Sequence, residues 1–177
     1  MAAIDGVVVT RPAFHGDDRG RFAETYRRSW FPLGREMVQA NVSDKQVGAV
    51  VGIHFHLHQA DYWFVPRGLA RVALVDLRVG SPTEGAIDTF DMGAGAEVGA
   101  FIPPGVGHGF AAMTDLTITY LVDQYYTPAD ENGVAWDDPD LGIDWGVADA
   151  VVSERDLQNP RVKDIPPDRR PIFALRA

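Results

Sequence analysis

Short apolar runs, separated by glycine and proline, dominate the hydrophobic pattern of this chain. The runs at residues 49–57, 70–78 and 116–126 are rich in branched and aromatic side chains, and the third alternates apolar with polar positions. Side chains in a strand repeat their direction every two residues, and glycine and proline favour turns. Eighteen glycines and twelve prolines are spread along the chain rather than concentrated. The pattern therefore predicts an all-β fold, either a sandwich or a barrel of short strands.

The same pattern places the individual elements. We expect strands over residues 6–10, 21–26, 38–43, 49–57, 62–65, 70–78, 86–91, 98–102, 108–112 and 116–126, with a loop over 14–18 and a helical turn within 29–35. The strands 62–65 and 70–78 are predicted to form one hairpin, and the strands 108–112 and 116–126 a second. After residue 126 the composition becomes acidic and turn-forming, which predicts a peripheral segment over 127–177. Ser153 is a predicted N-cap there, and the tail after Asn159 is predicted to be extended.

Length and charge narrow the function classes. A chain of 177 residues with 46% hydrophobic and 23% charged residues fits a single domain over 1–177, with its core at about 6–126. A net charge of −9 argues against a nucleic-acid partner. The chain has no cysteine, so a metal would need His, Asp or Glu ligands. No apolar run approaches the roughly 20 residues of a membrane span, so we expect a cytoplasmic protein without a membrane partner.

Three of the five histidines alternate within one predicted strand, at His54, His56 and His58. Alternation places their imidazoles on one face of the strand. Together with Asp61 and His108, this spacing resembles the two metal motifs of the cupin superfamily, with Asp where the first motif usually has Glu. The resemblance implies a cupin-type jelly-roll β-barrel with short peripheral helical turns. It also implies, as one alternative, a divalent metal held by His54, His56, Asp61 and His108.

A second resemblance covers more of the chain. Its blocks lie, in order, at residues 17–24, 39–43, 52–54, 75–83, 103–110, 119–120, 125–128, 136–139, 143–145 and 153–156. They are similar to the dTDP-4-dehydrorhamnose 3,5-epimerase family, which is itself cupin-like, usually lacks a metal and dimerises by exchanging N-terminal strands. The resemblance implies a homodimer that epimerises C3 and/or C5 of a dTDP-4-keto-6-deoxyhexose without a cofactor.

The resemblance also implies roles for individual residues. Epimerisation beside a ketone needs a base, a means of stabilising the enolate, and an acid on the other face. His54 matches the family base, Asp156 the aspartate that orients it, and Tyr120 the acid. The remaining matches imply substrate contacts: Arg19 with the diphosphate, Phe22 and Tyr126 stacked on the thymine across the dimer, Glu24, Gln39, Asn41 and Glu131 as polar contacts, and His108 beside the site.

Three positions depart from the family pattern. Val51 stands in place of an arginine, His56 in place of a glutamine, and Asp61 in place of the lysine that helps to stabilise the enolate. A carboxylate beside a developing enolate should raise the barrier, and loss of one electrostatic stabiliser typically costs roughly 10²–10³ in rate. Two alternatives therefore remain beside the epimerase: a metal-dependent cupin enzyme, and a homologue that binds a nucleotide sugar without catalysis.

Overall fold

Strands dominate the computed structural model, which describes residues 4–31 and 35–173. In the described residues they are β1 (Val8–Thr10), β2 (Phe14–Asp17), β3 (Gly20–Ala23), β4 (Gln39–Lys45), β5 (Ala49–Phe55), β6 (Asp61–Arg67), β7 (Leu69–Asp76), β8 (Ile87–Gly93), β9 (Gly99–Ile102), β10 (Val106–Ala112), β11 (Leu116–Val122), β12 (Asn132–Gly133) and β13 (Val151–Val152). Short 3₁₀ helices lie at Arg28–Trp30, Pro128–Asp130, Asp156–Gln158, Val162–Asp164 and Pro167–Arg169. The predicted all-β class is confirmed, and none of the described helices has the length and apolar character that crossing a membrane requires.

Two main sheets pack face to face. The first has the strand order β1-β9-β6-β11-β4, and all of its neighbours are antiparallel. The second has the order β12-β5-β10-β7-β8, with β13 added in parallel beside β5. Strands β2 and β3 form a separate two-stranded ribbon. This is the double-sheet arrangement expected of a cupin-like jelly roll.

Apolar side chains fill three layers. Between the sheets, Trp63 and Ile118 of the first sheet pack with Leu74 and Phe110 of the second. Because strand residues alternate, the outward-facing side chains of the same strands need covers of their own. Tyr62 and its neighbours on the first sheet are covered by an N-terminal segment that includes residues 26–31.

The C-terminal segment covers the outer face of the second sheet. Ile53 and Phe55 of β5 pack there with Val134, Trp145 and Ile165, and all five side chains are buried. Two short strands of this segment, β12 and β13, pair with β5 in the second sheet, and the rest of it completes an apolar layer. It also brings Asp130 and Asp156 against β5, which matters for the site described below.

Both predicted hairpins are wrong. Strand β6 lies in the first sheet and β7 in the second, and the same separation holds for β10 and β11. The connections after β6 and β10 are short, but they pass from one sheet to the other at the edge of the sandwich. Gly68, in the first connection, has φ +81°, and a Cβ there would lie 2.3 Å from the backbone oxygen of Asp115. A turn signal in the sequence predicts a reversal of the chain but does not tell which sheet the next strand joins.

Three smaller predictions also need correction. The predicted loop at 14–18 contains β2, because Phe14 to Asp17 pair with β3. The helical turn expected within 29–35 is confined to Arg28–Trp30 in the described chain, and residues 32–34 of that prediction lie outside the described residues. The tail after Asn159 is not continuously extended, since it forms 3₁₀ turns at Val162–Asp164 and Pro167–Arg169.

Candidate active site

A cavity of about 520 Å³ opens between the two main sheets. Its walls carry polar side chains at positions where the rest of the interior is apolar. Residues with a role predicted from the sequence line it together: Gln39, Asn41, His54, His56, Asp61, His108, Tyr120, Tyr126 and Glu131. The cavity therefore gathers most of the predicted site from both sheets and from the C-terminal segment.

His54 and Asp156 form a hydrogen-bonded pair on one wall. His54 lies on β5, and its Nε2 is 2.6 Å from Oδ1 of Asp156, a residue that is 3% exposed. A carboxylate accepts but does not donate, so Nε2 carries the proton and Nδ1 keeps its lone pair. Nδ1 lies 3.7 Å from Oε1 of Glu131, which also lines the cavity. The pair thus holds the imidazole in the tautomer that a base acting through Nδ1 requires.

Asp156 is kept ionised by its contacts. Burial alone would raise the pKa of this carboxyl, but hydrogen bonds and charge from His54, with further hydrogen bonds from the Gly52 amide and Ser153, lower the pKa below its ordinary value of 3.8. A carboxylate is a better partner than a carboxylic acid for the imidazolium that forms when His54 takes a proton. Asp156 therefore serves both to orient His54 and to stabilise its charged form.

Tyr120 stands on the opposite wall. It lies on β11, paired across the first sheet with Asn41 on one side and Trp63 on the other. Burial, followed by the negative charges of Asp61 and Glu131, raises the pKa of the Tyr120 phenol above its ordinary value of 10.0. The phenol is therefore protonated at neutral pH and able to donate. A group suited to accept a proton and a group suited to donate one line the same cavity from different sheets.

Three further polar groups cluster beside these two. His56, Asp61 and His108 are all buried, and one donor atom from each lies within 4.8 Å of the others. Nε2 of His56 is 3.9 Å from Oδ1 of Asp61, and Nε2 of His108 is 4.0 Å from Oδ2. Burial is the main reason that the pKa of His108 falls to about 4, so its ring is neutral at pH 7.

The predicted set of four metal ligands is therefore reduced to three. In the described part of the chain the cluster is His56, Asp61 and His108, and it does not include His54. His54 alternates with His56 on the sequence as expected, but Asp156 holds its Nε2. The expected row of three histidines on one strand is wrong, because β5 ends at Phe55: only His54 lies in the strand, His56 follows its end, and His58 is exposed.

Asp130 is a positioning residue that the sequence did not reveal. Its buried carboxylate accepts hydrogen bonds from the backbone amides of Leu57, His58 and Gln59 at 2.7, 3.1 and 3.2 Å. Its own carbonyl oxygen accepts a hydrogen bond from Nδ1 of His56 at 2.9 Å. Asp130 thus fixes both the loop between β5 and β6 and the ring of His56. It comes from a distant 3₁₀ helix, so no local pattern connects it with the histidines.

Strand alternation in the sequence could have identified other cavity residues that the sequence analysis missed. Ser43 and Lys45 continue the alternation of Gln39 and Asn41 along β4, and all four line the cavity. Strand periodicity alone would have added the second pair to the first. In the same way Gln59 and Trp63 flank Asp61 at a spacing of two, and both donate hydrogen bonds to its carboxylate.

Three predicted substrate contacts lie elsewhere within the single chain. Arg19 is exposed on the turn between β2 and β3 and pairs with Asp17. Phe22 and Glu24 line a second concave surface with residues of β1 and the 3₁₀ helix Arg28–Trp30. None of these three lines the main cavity. Within the described chain the fold therefore assembles the predicted catalytic residues and the contacts on β4, but not the contacts around the β2–β3 ribbon.

Close approach of two glycines sets the position of His54. Gly52 has φ +109°, and a Cβ on it would lie 2.7 Å from Cα of Gly109 and 2.7 Å from the His108 oxygen. Strands β5 and β10 could not pair at this distance with larger residues. The Gly52 amide also donates to Oδ2 of Asp156. Backbone geometry at Gly52 therefore joins the two strands that carry His54 and His108.

Replacing Gly52 by alanine is expected to destabilise the fold by at least about 2 kcal/mol, since it adds both a disfavoured backbone angle and a clash. Gly80→Ala is the matched control, because Gly80 has φ +81° but nothing within 4 Å of an added Cβ. It should cost only the roughly 1–2 kcal/mol of the backbone angle. Urea unfolding gives the free energy of unfolding of both variants. Equal decreases relative to the wild type would show that the contact between Gly52 and β10 does not contribute to stability.

Comparison with known proteins places the chain in a family. Residues 1–164 match the family described as dTDP-4-dehydrorhamnose 3,5-epimerase. The chain belongs to this family. Its recognition from the sequence blocks is thereby confirmed, and the fold agrees, because the family structures share the same arrangement of strands.

Individual relatives cover most of their length and of this chain. A Bacillus subtilis spore coat polysaccharide biosynthesis protein, SpsL, is 40% identical over 146 residues, which are 80% of this chain and 96% of SpsL. A dTDP-4-dehydrorhamnose 3,5-epimerase from Sinorhizobium fredii is 35% identical, covering 93% of this chain and 89% of the relative. The crystal structure of a Legionella pneumophila 3,5-epimerase, RmlC, in complex with dTDP-4-keto-L-rhamnose has a TM-score of 0.91 at 28% identity and covers 97% of this chain and 96% of its own.

Proposed function

We propose that this epimerase-family protein inverts C3 and/or C5 of a dTDP-4-keto-6-deoxyhexose. The observation that carries the proposal is the pairing of His54 and Tyr120 across one cavity, from β5 of the second sheet and β11 of the first. Inversion requires a proton to leave one face of a carbon and return to the other. A base and an acid on opposite walls meet that requirement without either group moving.

The proton on the carbon beside the ketone is taken by Nδ1 of His54. Asp156 keeps the proton of His54 on Nε2, 2.6 Å away, and stabilises the imidazolium as it forms. The electron pair of the broken C–H bond moves toward the carbonyl and leaves an enolate. The Tyr120 phenol then donates its proton to the opposite face of the carbon. General acid–base assistance of this kind typically contributes 10²–10⁴-fold to a rate.

The surroundings of the cavity support a nucleotide sugar as substrate. Gln39, Asn41 and Glu131 offer hydrogen bonds along the cavity, and Tyr126 lies at its border with 62% of its surface exposed. We propose that these residues hold the sugar and the base of the nucleotide. The Legionella relative was solved with a dTDP-linked 4-keto sugar, a ligand of the same class.

We propose that the active form is a homodimer. Arg19, Phe22 and Glu24 lie on or next to the β2–β3 ribbon and outside the cavity of their own chain. Phe22 is 66% exposed, and Val42, on the outer face of the edge strand β4, is 68% exposed. Exposed aromatic and branched residues on an unpaired edge are typical of an interface. In the dimer, the ribbon of one chain would bring these three residues to the cavity of the other.

The proposed proton transfers need no organic cofactor, because every group that exchanges a proton is a side chain of the protein. A cytoplasmic location also stays a prediction.

The test of the function is incubation with dTDP-4-keto-6-deoxyglucose, followed by reduction of the ketone and identification of the sugar. Sugars inverted at C3 or C5 are expected. If the sugar keeps its starting configuration at high enzyme concentration while calorimetry shows that dTDP binds, the protein binds the nucleotide without this activity.

Replacing Asp156 by asparagine is expected to slow epimerisation by about 100-fold or more, because the amide neither fixes the required tautomer nor stabilises the imidazolium. The same change gives a pH signature in stability. The pKa of Asp156 is lowered in the folded protein, so its stabilising effect is complete above pH 4 and is lost as the pH falls through the folded pKa. The difference in unfolding free energy between wild type and variant should therefore shrink below pH 4. A difference that stays constant down to pH 2 would contradict the account.

A further inference from the structure

We infer that His56, Asp61 and His108 form a divalent metal site in the wall of the cavity. Their donor atoms lie within 4.8 Å of one another, and all three residues are buried. Zn–ligand distances of 2.0–2.2 Å put neighbouring donors at a tetrahedral angle about 3.4 Å apart. His56 Nε2 lies 3.9 Å from Oδ1 of Asp61 and His108 Nε2 lies 4.0 Å from Oδ2, with one donor from each residue within 4.8 Å of the others, so the donors must approach by about 0.5–1.4 Å to bind one ion.

Both imidazoles present the correct nitrogen for a metal. Nδ1 of His56 is 2.9 Å from the carbonyl oxygen of Asp130, and Nδ1 of His108 is 3.0 Å from that of Val106. A carbonyl oxygen only accepts, so Nδ1 carries the proton in each ring. In the neutral form of each ring, the Nε2 atom that faces Asp61 then holds the lone pair. A backbone carbonyl that fixes the tautomer is the usual outer partner of a metal-bound histidine.

Hydrogen bonds from neighbouring side chains orient the Asp61 carboxylate as well. Gln59 Nε2 donates to Oδ1 of Asp61 at 2.8 Å, and Trp63 Nε1 donates to Oδ2 at 3.1 Å. Outer contacts of this kind orient a ligand without taking its place. Each of the three proposed ligands thus has its own fixed support from the protein.

Charge balance favours a cation at this point. Asp61 is 3% exposed, and within residues 4–31 and 35–173 the basic side chains whose nitrogens lie within 4.0 Å of its carboxylate are the two histidines, with no lysine or arginine among them. When both rings are neutral, hydrogen bonds from the uncharged groups of Gln59 and Trp63 offset the charge of this buried carboxylate only in part, which is costly in a poorly solvated site. A divalent cation between the three donors removes that cost. Two imidazoles and one carboxylate suit Zn, Mn, Fe or Ni.

The site leaves the catalytic residues free. His54 is held by Asp156 and lies outside the cluster, so it remains available as the base. The three ligands also line the cavity, and a metal bound by only three side chains keeps positions open toward it. If the proposed function holds, an ion held by these three residues would supply positive charge to the cavity that His54 and Tyr120 line.

Metal binding can be measured without any assay of activity. Protein purified without a metal-affinity resin and stripped with a chelator is titrated with Zn²⁺ by calorimetry and with Co²⁺ by visible absorption, which reports the coordination geometry of the bound ion. About one equivalent is expected. Asp61→Asn and His56→Gln should each weaken binding by roughly 100-fold or more, while His58→Gln, which alters an exposed histidine, should leave it unchanged. Circular dichroism confirms that each variant is folded.

The inference is overturned if wild-type protein binds less than a tenth of an equivalent of every ion tested, or if both ligand variants bind as the wild type does. The amount of metal bound by the wild-type protein can overturn the inference by itself, so the test remains valid even if a variant fails to fold. Sugar epimerisation by the stripped protein at the full rate, without binding, would reject the metal and keep the function. One bound equivalent without epimerisation would keep the metal site and reject the function.

Discussion

Replacing His54 by glutamine is expected to lower the rate of epimerisation by roughly 10³-fold or more, the upper part of the range for loss of a general base. Glutamine can occupy the space of the imidazole and hydrogen-bond to Asp156, but it cannot accept a proton at neutral pH. No other imidazole takes over the role, since the rings of His56 and His108 are directed at Asp61. The rate is measured by NMR as loss of the substrate C3 and C5 proton signals in D₂O.

The control for this change is His58→Gln. It is the same substitution, four residues further along the chain, at an exposed position outside the cavity. The control should epimerise at the wild-type rate within about twofold, in line with surface substitutions that alter stability by less than 0.5 kcal/mol. A His54→Gln variant that keeps its fold and more than a tenth of the wild-type rate would show that another residue is the base.

Tyr120→Phe is expected to separate proton removal from inversion. The change deletes one hydroxyl and keeps the ring that packs beside the core between the sheets. Without the phenol no acid stands on the first-sheet wall, so net inversion should fall by roughly 10²–10⁴-fold. His54 still removes the proton and can return a deuteron to the same face. Deuterium should therefore enter the substrate with its configuration retained, faster than the epimer appears.

NMR of the recovered sugar distinguishes these outcomes, because exchange removes a proton signal while inversion changes the coupling constants of its neighbours. The wild-type protein should give deuterium and inversion together. Equal loss of both in a folded Tyr120→Phe variant would mean that Tyr120 is needed for proton removal itself. Undiminished inversion would mean that the acid is a group other than Tyr120.

Sequence periodicity predicted the strands better than their pairing. The apolar runs located the first residues of β5, β7 and β11 to within one position, but the third run predicted the end of β11 at residue 126 and the strand ends at Val122. The two hairpin predictions were wrong, because a short turn at the edge of a sandwich can lead into either sheet. Only contacts between distant residues determine the choice, and no local pattern records them.

In the site, too, local patterns in the sequence predicted some residues, whereas contacts between distant residues were not predicted. Alternation predicted His54 and His56 on one face of a strand; both line the cavity, although β5 ends at Phe55, one residue before His56. Asp156 is 102 residues from its partner His54, and only the resemblance to the family paired them. Asp130 stayed unrecognised, since its role depends on backbone amides 71–73 residues away. The separation of His54 from the metal ligands was also invisible in sequence, because it follows from the competing contact with Asp156.

The proposed function depends most directly on proton exchange beside the ketone. In D₂O, wild-type protein mixed with dTDP-4-keto-6-deoxyglucose should place solvent deuterium at C3, at C5 or at both, with inversion at each labelled carbon. His54→Gln should suppress this labelling, whereas His58→Gln should not. The measurement is made on stripped protein and on protein supplied with Zn²⁺ or Mn²⁺. Absence of deuterium at both carbons under every condition, at high enzyme concentration and with dTDP shown to bind, would contradict the account.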